Sequence, residues 1–328
     1  MEHEYIKGLV SIVTPCYNTS ALLHRLFDSI LAQDYPHIEM YAINDGSIDN
    51  TEEVIKSYIP KFKERGYSLE CVTQPNGGQS SALNNGLKLV KGEFFIWPDS
   101  DDFFSSPQSI SKFVDILSSD EGISVVRCLP TYIDETILTP IKTLEWNDAY
   151  KSYDQFLNCL YCENFFWGAG DYMIRMEAFD KANPEREIYV EKKAGQNWQI
   201  LLPALYNNKC KTLKETLFCI LERTGSHCRA DGDSYETQLD RFACYDRTIL
   251  YTLDCMGLGK QIAKQYKDGI YVRIINRNLH MAMRFNKRKD VIRNITLLPV
   301  SFTSYSIKTW CKSILWLLRI KHSVLSNK

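Results

Sequence analysis

The chain has 328 residues, and its 39 basic and 40 acidic side chains give a formal net charge of -1. This length suffices for one large α/β domain with an appendage, and the balanced charge excludes a global field that would recruit nucleic acid or anionic lipid. The 11 cysteines are odd in number and follow no framework spacing, which favours a cytoplasmic protein over a secreted disulfide scaffold.

The N-terminal part alternates between strand and helix patterns. Apolar runs predict buried strands, and segments with apolar residues on one helical face predict the helices between them. The predicted strands are Leu9–Thr14, Ile38–Ile43, Leu69–Thr73, Phe94–Trp97 and Ile123–Cys128. This alternation predicts an α/β fold, with a doubly wound, mostly parallel sheet and right-handed crossovers.

Two of the intervening helices have clear local signals. In the segment SALLHRLFDSILAQ, the residues Leu22, Leu26 and Ile30 lie on one helix face. In the segment DNTEEVIKSYIPKF, Asn50 and Glu53 have the spacing of a capping box. The second helix is therefore predicted to begin near Asn50.

Polar loops follow the predicted strands at residues 14–18, 44–47, 74–79 and 99–102. Ligands of open α/β sheets bind beyond the carboxyl ends of the strands, so we expect these loops to share one edge. The last loop contains three carboxylates within four residues, and charges this close repel one another. A solvated turn or a divalent cation would compensate, and the position beside a cleft favours the cation.

The carboxylates of this loop are Asp99, Asp101 and Asp102. Such an Asp-x-Asp pair can hold Mg²⁺ or Mn²⁺ through hard oxygen ligands while substrate phosphates complete the shell. Asp102 has an alternative role as a cap of the following helix. Asp45, after the second strand, suits hydrogen bonding to a base or ribose, or capping of the helix near Asn50. No Gly-x-Gly-x-x-Gly or P-loop motif is present, which excludes those nucleotide sites.

The ordered segments VSIVTPCYN, INDGS and GGQSSALNNGLKLVKGEFFIWPDSDD resemble the family 2 glycosyltransferases with the GT-A fold, over about residues 8 to 120. This resemblance implies an enzyme that moves a hexose-type sugar from a nucleotide-sugar, usually with inversion, assisted by Mn²⁺ or Mg²⁺. A UDP-sugar is the favoured donor. The implied acceptor is a hydroxyl of a glycan or lipid-linked molecule in cell-surface polysaccharide synthesis.

The resemblance also assigns site residues by position. Those on the donor side are Thr14, Pro15 and Tyr17 around the nucleoside, Asp45 on the uracil, and Gln79 and Asp99. Asp101 and Asp102 are assigned to the metal. His227 lies where relatives close a polar loop over the diphosphate, so it is a further metal or phosphate ligand, or else a surface histidine in a turn.

The acceptor side departs from the family pattern. Relatives often place an acidic pair before an aromatic residue, and its Asp deprotonates the acceptor hydroxyl, whereas this chain has Gln196-Asn197-Trp198. An amide cannot take that proton at neutral pH. The base lies elsewhere, with Asp171 and Glu191 as candidates, or the register differs, or the transferase is altered or feeble. We still expect Asn197 to touch the donor or acceptor sugar.

The aromatic segment Phe165-Phe166-Trp167 allows two interpretations. Aromatic ring faces complement the C–H face of a hexose, so the segment can form the floor of a sugar site. Packing in the protein core explains at least two of the three side chains equally well.

We expect a GT-A domain over residues 1–228 and a helical C-terminal region over residues 229–328. The last segment is amphipathic, with Trp310 among its apolar residues and Lys308 and Lys312 among its basic ones. It can lie on the inner face of the cell membrane, pack on the protein itself, or join two copies in a homo-oligomer. A non-catalytic nucleotide-sugar-binding or assembly subunit is the alternative function, supported by Asn197 at the expected base position.

Overall fold

The computed structural model describes residues 3–191, 194–223, 234–298 and 304–318. The chain divides into two compact units. The sheet unit contains residues 1–229 and 251–257, and the helical unit contains residues 230–250 and 258–328.

The described residues form eleven strands in two sheets. They are β1 (Ile6–Cys16), β2 (Ile38–Asp45), β3 (Ser68–Gln74), β4 (Gly92–Ile96), β5 (Phe103–Phe104), β6 (Ile123–Arg127), β7 (Thr131–Asp134), β8 (Pro140–Thr143), β9 (Tyr172–Arg175), β10 (Lys209–Thr212) and β11 (Phe218–Glu222). All five strands predicted from apolar runs are present, as β1, β2, β3, β4 and β6.

The large sheet has seven strands in the order β10-β6-β9-β4-β1-β2-β3. Its pairs are parallel except those of β9, which is antiparallel to both β4 and β6. This confirms the predicted mostly parallel α/β sheet. Because β9 runs in the opposite direction, its first residue, Tyr172, pairs with Arg127 at the carboxyl end of β6. The residue before β9, Asp171, therefore lies at the edge where ligands bind in such sheets.

The small sheet has the order β5-β11-β7-β8 and was not predicted from the sequence. Its strands contain two to five residues, which is too short for a periodic pattern to stand out. In this sheet β11 pairs with β5, the strand that follows the acidic loop, through Phe218 and Phe104. The small sheet therefore holds the strand that directly follows the acidic loop.

Eleven α-helices lie within the described part of the chain, with a short 3-10 helix at Asp148–Lys151. They are α1 (Leu23–Leu31), α2 (Thr51–Arg65), α3 (Gln79–Leu87), α4 (Ser109–Ser119), α5 (Phe156–Tyr161), α6 (Met176–Ala182), α7 (Gln196–Leu205), α8 (Tyr235–Cys255), α9 (Lys260–Arg284), α10 (Arg288–Leu297) and α11 (Ser304–Leu317).

The predicted capping box of α2 is wrong. Asn50 is the residue before the helix, but its side chain makes no capping hydrogen bond. Asp49 takes that role instead, because its Oδ1 accepts from the backbone N–H of Thr51 at 3.0 Å. The side chain of an aspartate can accept a hydrogen bond from the backbone N–H two residues later. Here this bond replaces the capping box predicted to begin at the next residue.

The helical unit has its own small core, built around Leu279, Ala282 and Val291. Asp246 accepts hydrogen bonds from both terminal nitrogens of Arg277, at 2.8 and 2.7 Å, and this bidentate pair joins α8 to α9. Among the described helices, none combines the length and the apolar character that a bilayer span requires.

Candidate active site

The loops after β1 and β2 are tied together by hydrogen bonds. Oδ1 of Asn18 accepts from the backbone N–H of Ile48 at 2.9 Å, and the N–H of Asn18 donates to Ser47 at 3.1 Å. The N–H of Thr19 donates to Oγ1 of Thr51 at 2.9 Å. The strand-end loops thus share one edge, and their own polar groups fix their spacing.

Asp45 organises the third loop. Its Oδ1 accepts from Gln74 and from the N–H of Gly77, and its Oδ2 accepts from the N–H of Gly78, each at 2.8 Å. Asp45 is only 2% exposed. A carboxylate has about four acceptor positions, so one remains for a bound base.

Gly46 allows this loop to approach closely. It has a φ of +69°, and a Cβ there would lie 2.7 Å from the backbone nitrogen of Asn76. Glycine is the residue that takes this conformation without a steric penalty.

The nucleoside candidates on β1 and its loop differ in exposure. Thr14 is fully buried, and its hydroxyl has no hydrogen-bond partner within the described part of the chain. Pro15 pairs with Ile43 of β2. Tyr17 is 51% exposed, which leaves an aromatic face open beside the loop. A buried hydroxyl and an open ring are groups that a nucleoside could satisfy.

Asp99 is held by two amides. Its Oδ1 accepts from Nε2 of Gln79 at 2.5 Å and from Nε2 of Gln196 at 3.1 Å. Burial, and then the neighbouring Asp101, raise the pKa of Asp99 to about 7. Next to it, Nε1 of Trp97 donates to Oδ1 of Asn197 at 2.9 Å. Both amides of the Gln196-Asn197 pair are therefore bound to the acidic loop.

The other two carboxylates of the loop have different partners. Asp101 forms an ion pair of 2.6 Å with Arg223. Asp102 is 4% exposed, and its Oδ1 accepts from the N–H of Leu221 in β11 at 2.8 Å. Burial, followed by the charges of Asp101 and Asp99, raises the pKa of Asp102 well above its usual value. Asp102 thus bonds the small sheet rather than capping α4.

The two candidates for the proton acceptor, Asp171 and Glu191, have different surroundings. Asp171 is completely buried, and neither carboxylate oxygen has a hydrogen-bond partner among the described residues. Burial raises the pKa of Asp171 to about 8, with Arg127 opposing this shift and Asp99 adding to it. Glu191 instead accepts from the hydroxyl of Tyr189 at 2.8 Å. His227 lies outside the described residues.

The side chains of the segment Phe165-Phe166-Trp167 differ in burial. Phe166 is 7% exposed and packs on Tyr150 and Tyr172, whereas Trp167 lies partly exposed with its ring centroid 4.7 Å from that of Trp198. Arg127 and Arg223 were not predicted as site neighbours, because contacts that join distant segments leave no local pattern in the sequence.

The donor atoms suit a hard divalent cation. Asp101 and Asp102 supply carboxylate oxygens, and mutual repulsion in this loop favours a compensating positive charge. Across residues 3–191, 194–223, 234–298 and 304–318, no three His, Cys, Asp or Glu side chains are arranged to hold a metal. A cation held by Asp101 and Asp102 would complete its shell with phosphate oxygens and water.

Comparison with known proteins identifies a family for this geometry. The model of "Glycosyl transferase family 2" matches residues 11–181. An uncharacterized glycosyltransferase, RT0329 of Rickettsia typhi, is 38% identical over 136 residues, which is 41% of this chain and 40% of that protein. The poly-beta-1,6-N-acetyl-D-glucosamine synthase of Staphylococcus epidermidis is 35% identical over 145 residues, 44% of this chain and 34% of that protein.

A solved structure extends the likeness in fold. S. aureus TarS 1-349 in complex with UDP-GlcNAc has a TM-score of 0.59 and 16% sequence identity, with 93% of this chain and 89% of that chain covered. At this identity the comparison shows a shared fold. The sequence matches span less than half of the length of the two relatives described above.

Proposed function

The chain belongs to glycosyl transferase family 2, and from this membership we propose that it moves a hexose-type sugar from a UDP-sugar to a hydroxyl of a glycan or lipid-linked acceptor. The observation that carries the proposal is the position of three aspartates at one edge of the sheet, because Asp99 and Asp102 follow β4 and Asp171 precedes the antiparallel β9. The polysaccharide synthase among the relatives supports a role in cell-surface polysaccharide synthesis, and the UDP-GlcNAc bound to TarS supports the donor class.

The nucleotide would bind to the groups of the strand-end loops that still have a free ring face or a free hydrogen-bonding position. The ring of Tyr17 would stack on the base, with Thr14 and Pro15 beside it and the remaining acceptor position of Asp45 on the uracil. Asp99, oriented by Gln79, would bind the ribose. Asp101 and Asp102 would hold Mn²⁺ or Mg²⁺, which when bound supplies positive charge for the departing diphosphate.

The transfer step needs a proton acceptor as well as a leaving group. The acceptor oxygen forms a bond to the anomeric carbon while the bond from that carbon to the phosphate oxygen breaks, and UDP leaves with the electron pair. The hydroxyl proton then requires a base. Asn197 cannot serve, because amides do not take a proton at neutral pH and its oxygen already accepts from Trp97. We assign this proton to Asp171, the buried carboxylate without hydrogen-bond donors.

Binding and turnover can be tested with purified protein, Mn²⁺ and a panel of UDP- and GDP-sugars. We expect one UDP-sugar to bind, and slow release of UDP even when water is the acceptor. The variants Asp101→Ala and Asp102→Ala should lose both, whereas Asp115→Ala, an exposed aspartate on α4, should behave as wild type. Unchanged donor binding in both loop variants would contradict the proposal.

A non-catalytic nucleotide-sugar-binding subunit is the second candidate. It is favoured by one observation, that both amides at the expected base position are occupied in bonds to Asp99 and Trp97. Tight binding of a UDP-sugar without UDP release, over a panel of glycan and lipid-linked acceptors, would select this function.

Helix α11 supports a proposed contact with the inner face of the cell membrane. Its residues Thr309 and Ser313 are buried, while Trp310 is 49% exposed beside the exposed Lys308 and Lys312. An aromatic side chain flanked by lysines suits an anionic lipid surface. Removal of residues from Ser304 onward should abolish sedimentation with phosphatidylglycerol vesicles and preserve donor binding. Unchanged sedimentation would reject the membrane contact.

A further inference from the structure

Arg127, the last residue of β6, is a fully buried cation. Its guanidinium donates to three neutral acceptors, which are Thr212 at 2.9 Å, the hydroxyl of Tyr172 at 3.1 Å and Gln155 at 3.2 Å. A buried charge normally has an ionic partner, since desolvation is costly. In the described part of the chain, Arg127 forms no ion pair within 4.0 Å.

Aromatic rings surround this guanidinium. Its central carbon lies 4.5 to 5.8 Å from the ring centroids of Phe166, Phe165, Tyr150 and Tyr172. The four rings, called the aromatic cage below, favour a cation through their electron-rich faces.

Asp171 is a buried carboxyl group whose oxygens accept no hydrogen bond from the described residues. It immediately precedes Tyr172, which pairs with Arg127 in the sheet. A Cβ on Gly168 would lie 2.5 Å from Oδ2 of Asp171, so the backbone of that loop closes directly over the carboxylate. The residue after Arg127, Cys128, donates its backbone N–H to the carbonyl of Asp171 at 3.0 Å, and the charge of Arg127 lowers the pKa of the Asp171 carboxyl.

We propose that Arg127 is a positioning residue for the transfer reaction, whose caged charge keeps Asp171 ionisable at neutral pH without neutralising it in a direct ion pair. A base in a tight ion pair with arginine would be too weak, and a base buried without any cation would stay protonated. The inference rests on the proposed role of Asp171 as the proton acceptor.

Other titratable groups of the described residues also act on Asp171. They are Cys128 of β6, Tyr132 of β7, Tyr172 of β9, and Asp99 and Asp102 of the acidic loop. Burial raises the pKa of Cys128, Tyr132 and Tyr172, so these three are neutral between pH 6 and 9. Arg127 is thus the cation that acts on Asp171, whereas Arg223 acts on Asp99.

A double-mutant cycle on the full chain tests this pairing without a substrate. The variants are Arg127→Met, Asp171→Asn and their combination, and the free energy of unfolding is measured at pH 6 and pH 9. At pH 6 the folded protein holds Asp171 protonated with or without Arg127, so we expect no coupling. At pH 9 Asp171 is ionised and the charge of Arg127 supports that form, so Arg127→Met should cost more stability in the wild-type background than in the D171N background.

Controls separate this electrostatic role from packing. Arg127→Lys keeps the charge and should retain part of the pH 9 coupling, which also covers the case in which Arg127→Met fails to fold. Arg175 of β9 is also buried but pairs with Glu93, so Arg175→Met should cost the same stability in both backgrounds. An equal loss for Arg127→Met at both pH values and in both backgrounds would overturn the inference.

The pH profile of UDP release gives a second measure. In Arg127→Lys and Arg127→Met the rising limb should move to higher pH, by about 1 unit or more in the methionine variant. A lower rate with an unmoved limb would mean a purely structural Arg127, and the proposed transferase function would stand. Absence of any UDP release by the wild-type protein would instead reject that function, whatever the stability cycle shows.

Discussion

The indole nitrogen of Trp97 donates a 2.9 Å hydrogen bond to the side-chain oxygen of Asn197, a residue 100 positions later in the chain. This bond joins the end of β4 to the first turn of α7. Since Gln196 also donates to Asp99, the two amides fasten α7 to the acidic loop. The two amides at the position where the family resemblance predicts a base therefore form a structural clamp.

Removal of the hydrogen-bond donor of Trp97 should show how much this clamp contributes to the free energy of unfolding. Trp97 is fully buried, so Trp97→Phe leaves the oxygen of Asn197 without its partner, and we expect a loss of about 1–3 kcal/mol in the free energy of unfolding. Chemical denaturation measures the loss. Trp310→Phe, at an exposed site in α11, serves as the control and should cost less than about 0.5 kcal/mol. Equal stability of Trp97→Phe and wild type would argue against the bond.

The proposed base predicts a pH dependence with a definite direction. Because burial raises the pKa of Asp171 to about 8, the fraction of ionised carboxylate grows from pH 6 to pH 9, and UDP release should grow with it. Asp171→Asn should lower the rate about 100-fold or more and leave UDP affinity unchanged.

A carboxylate introduced at the clamp tests the competing assignment. Asn197→Asp can still accept from Trp97, so the fold should tolerate the change, and we expect no gain in UDP release. A clear increase would identify residue 197 as a lapsed base and contradict the role of Asp171.

The titration of Asp171 also makes the stability of the fold depend on pH. Its pKa is raised in the folded state, so Asp171 contributes most stability below the unfolded pKa of about 4 and loses that contribution as pH rises towards 8. Asp171→Asn should flatten this fall. Thermal melts of both proteins at pH 5, 7 and 9 provide the measurement, and parallel curves would show that Asp171 is not buried as described.

Asp45 should act through the loop that it holds. Asp45→Asn has one side-chain oxygen and cannot satisfy Gln74, Gly77 and Gly78 together, so we expect a loss of about 1–2 kcal/mol and faster amide exchange at the two glycines. Donor affinity should fall as well. Normal exchange at Gly77 and Gly78 would contradict this role.

Gly46 and Gly66 form a matched pair for the close approach of the same loop. Both have positive φ, at +69° and +84°, but only Gly46 has a neighbour where a Cβ would lie. Gly66→Ala should therefore show the backbone penalty alone, about 1 kcal/mol, while Gly46→Ala should cost more and weaken donor binding. Equal effects of the two substitutions would remove steric contact with Asn76 as the cause.

Local sequence patterns were enough to predict the strands β1, β2, β3, β4 and β6 and the polar loops at their ends. This was possible because a buried strand or helix face leaves a local periodic pattern. The family resemblance rested on those same local segments and is confirmed by the family match over residues 11–181. The roles of Asp45, Asp99, Asp101 and Asp102 at this edge stay predictions.

Contacts between distant residues could not be predicted in this way and depend on the three-dimensional fold. The antiparallel insertion of β9 brings Asp171 to the ligand edge, β11 supplies the N–H that holds Asp102, and α7 turns Asn197 towards Trp97. These contacts depend on strand direction and on the path of the chain, and neither leaves a periodic signal in the residues concerned. The aromatic surroundings of the Arg127 guanidinium likewise arise only from the tertiary fold.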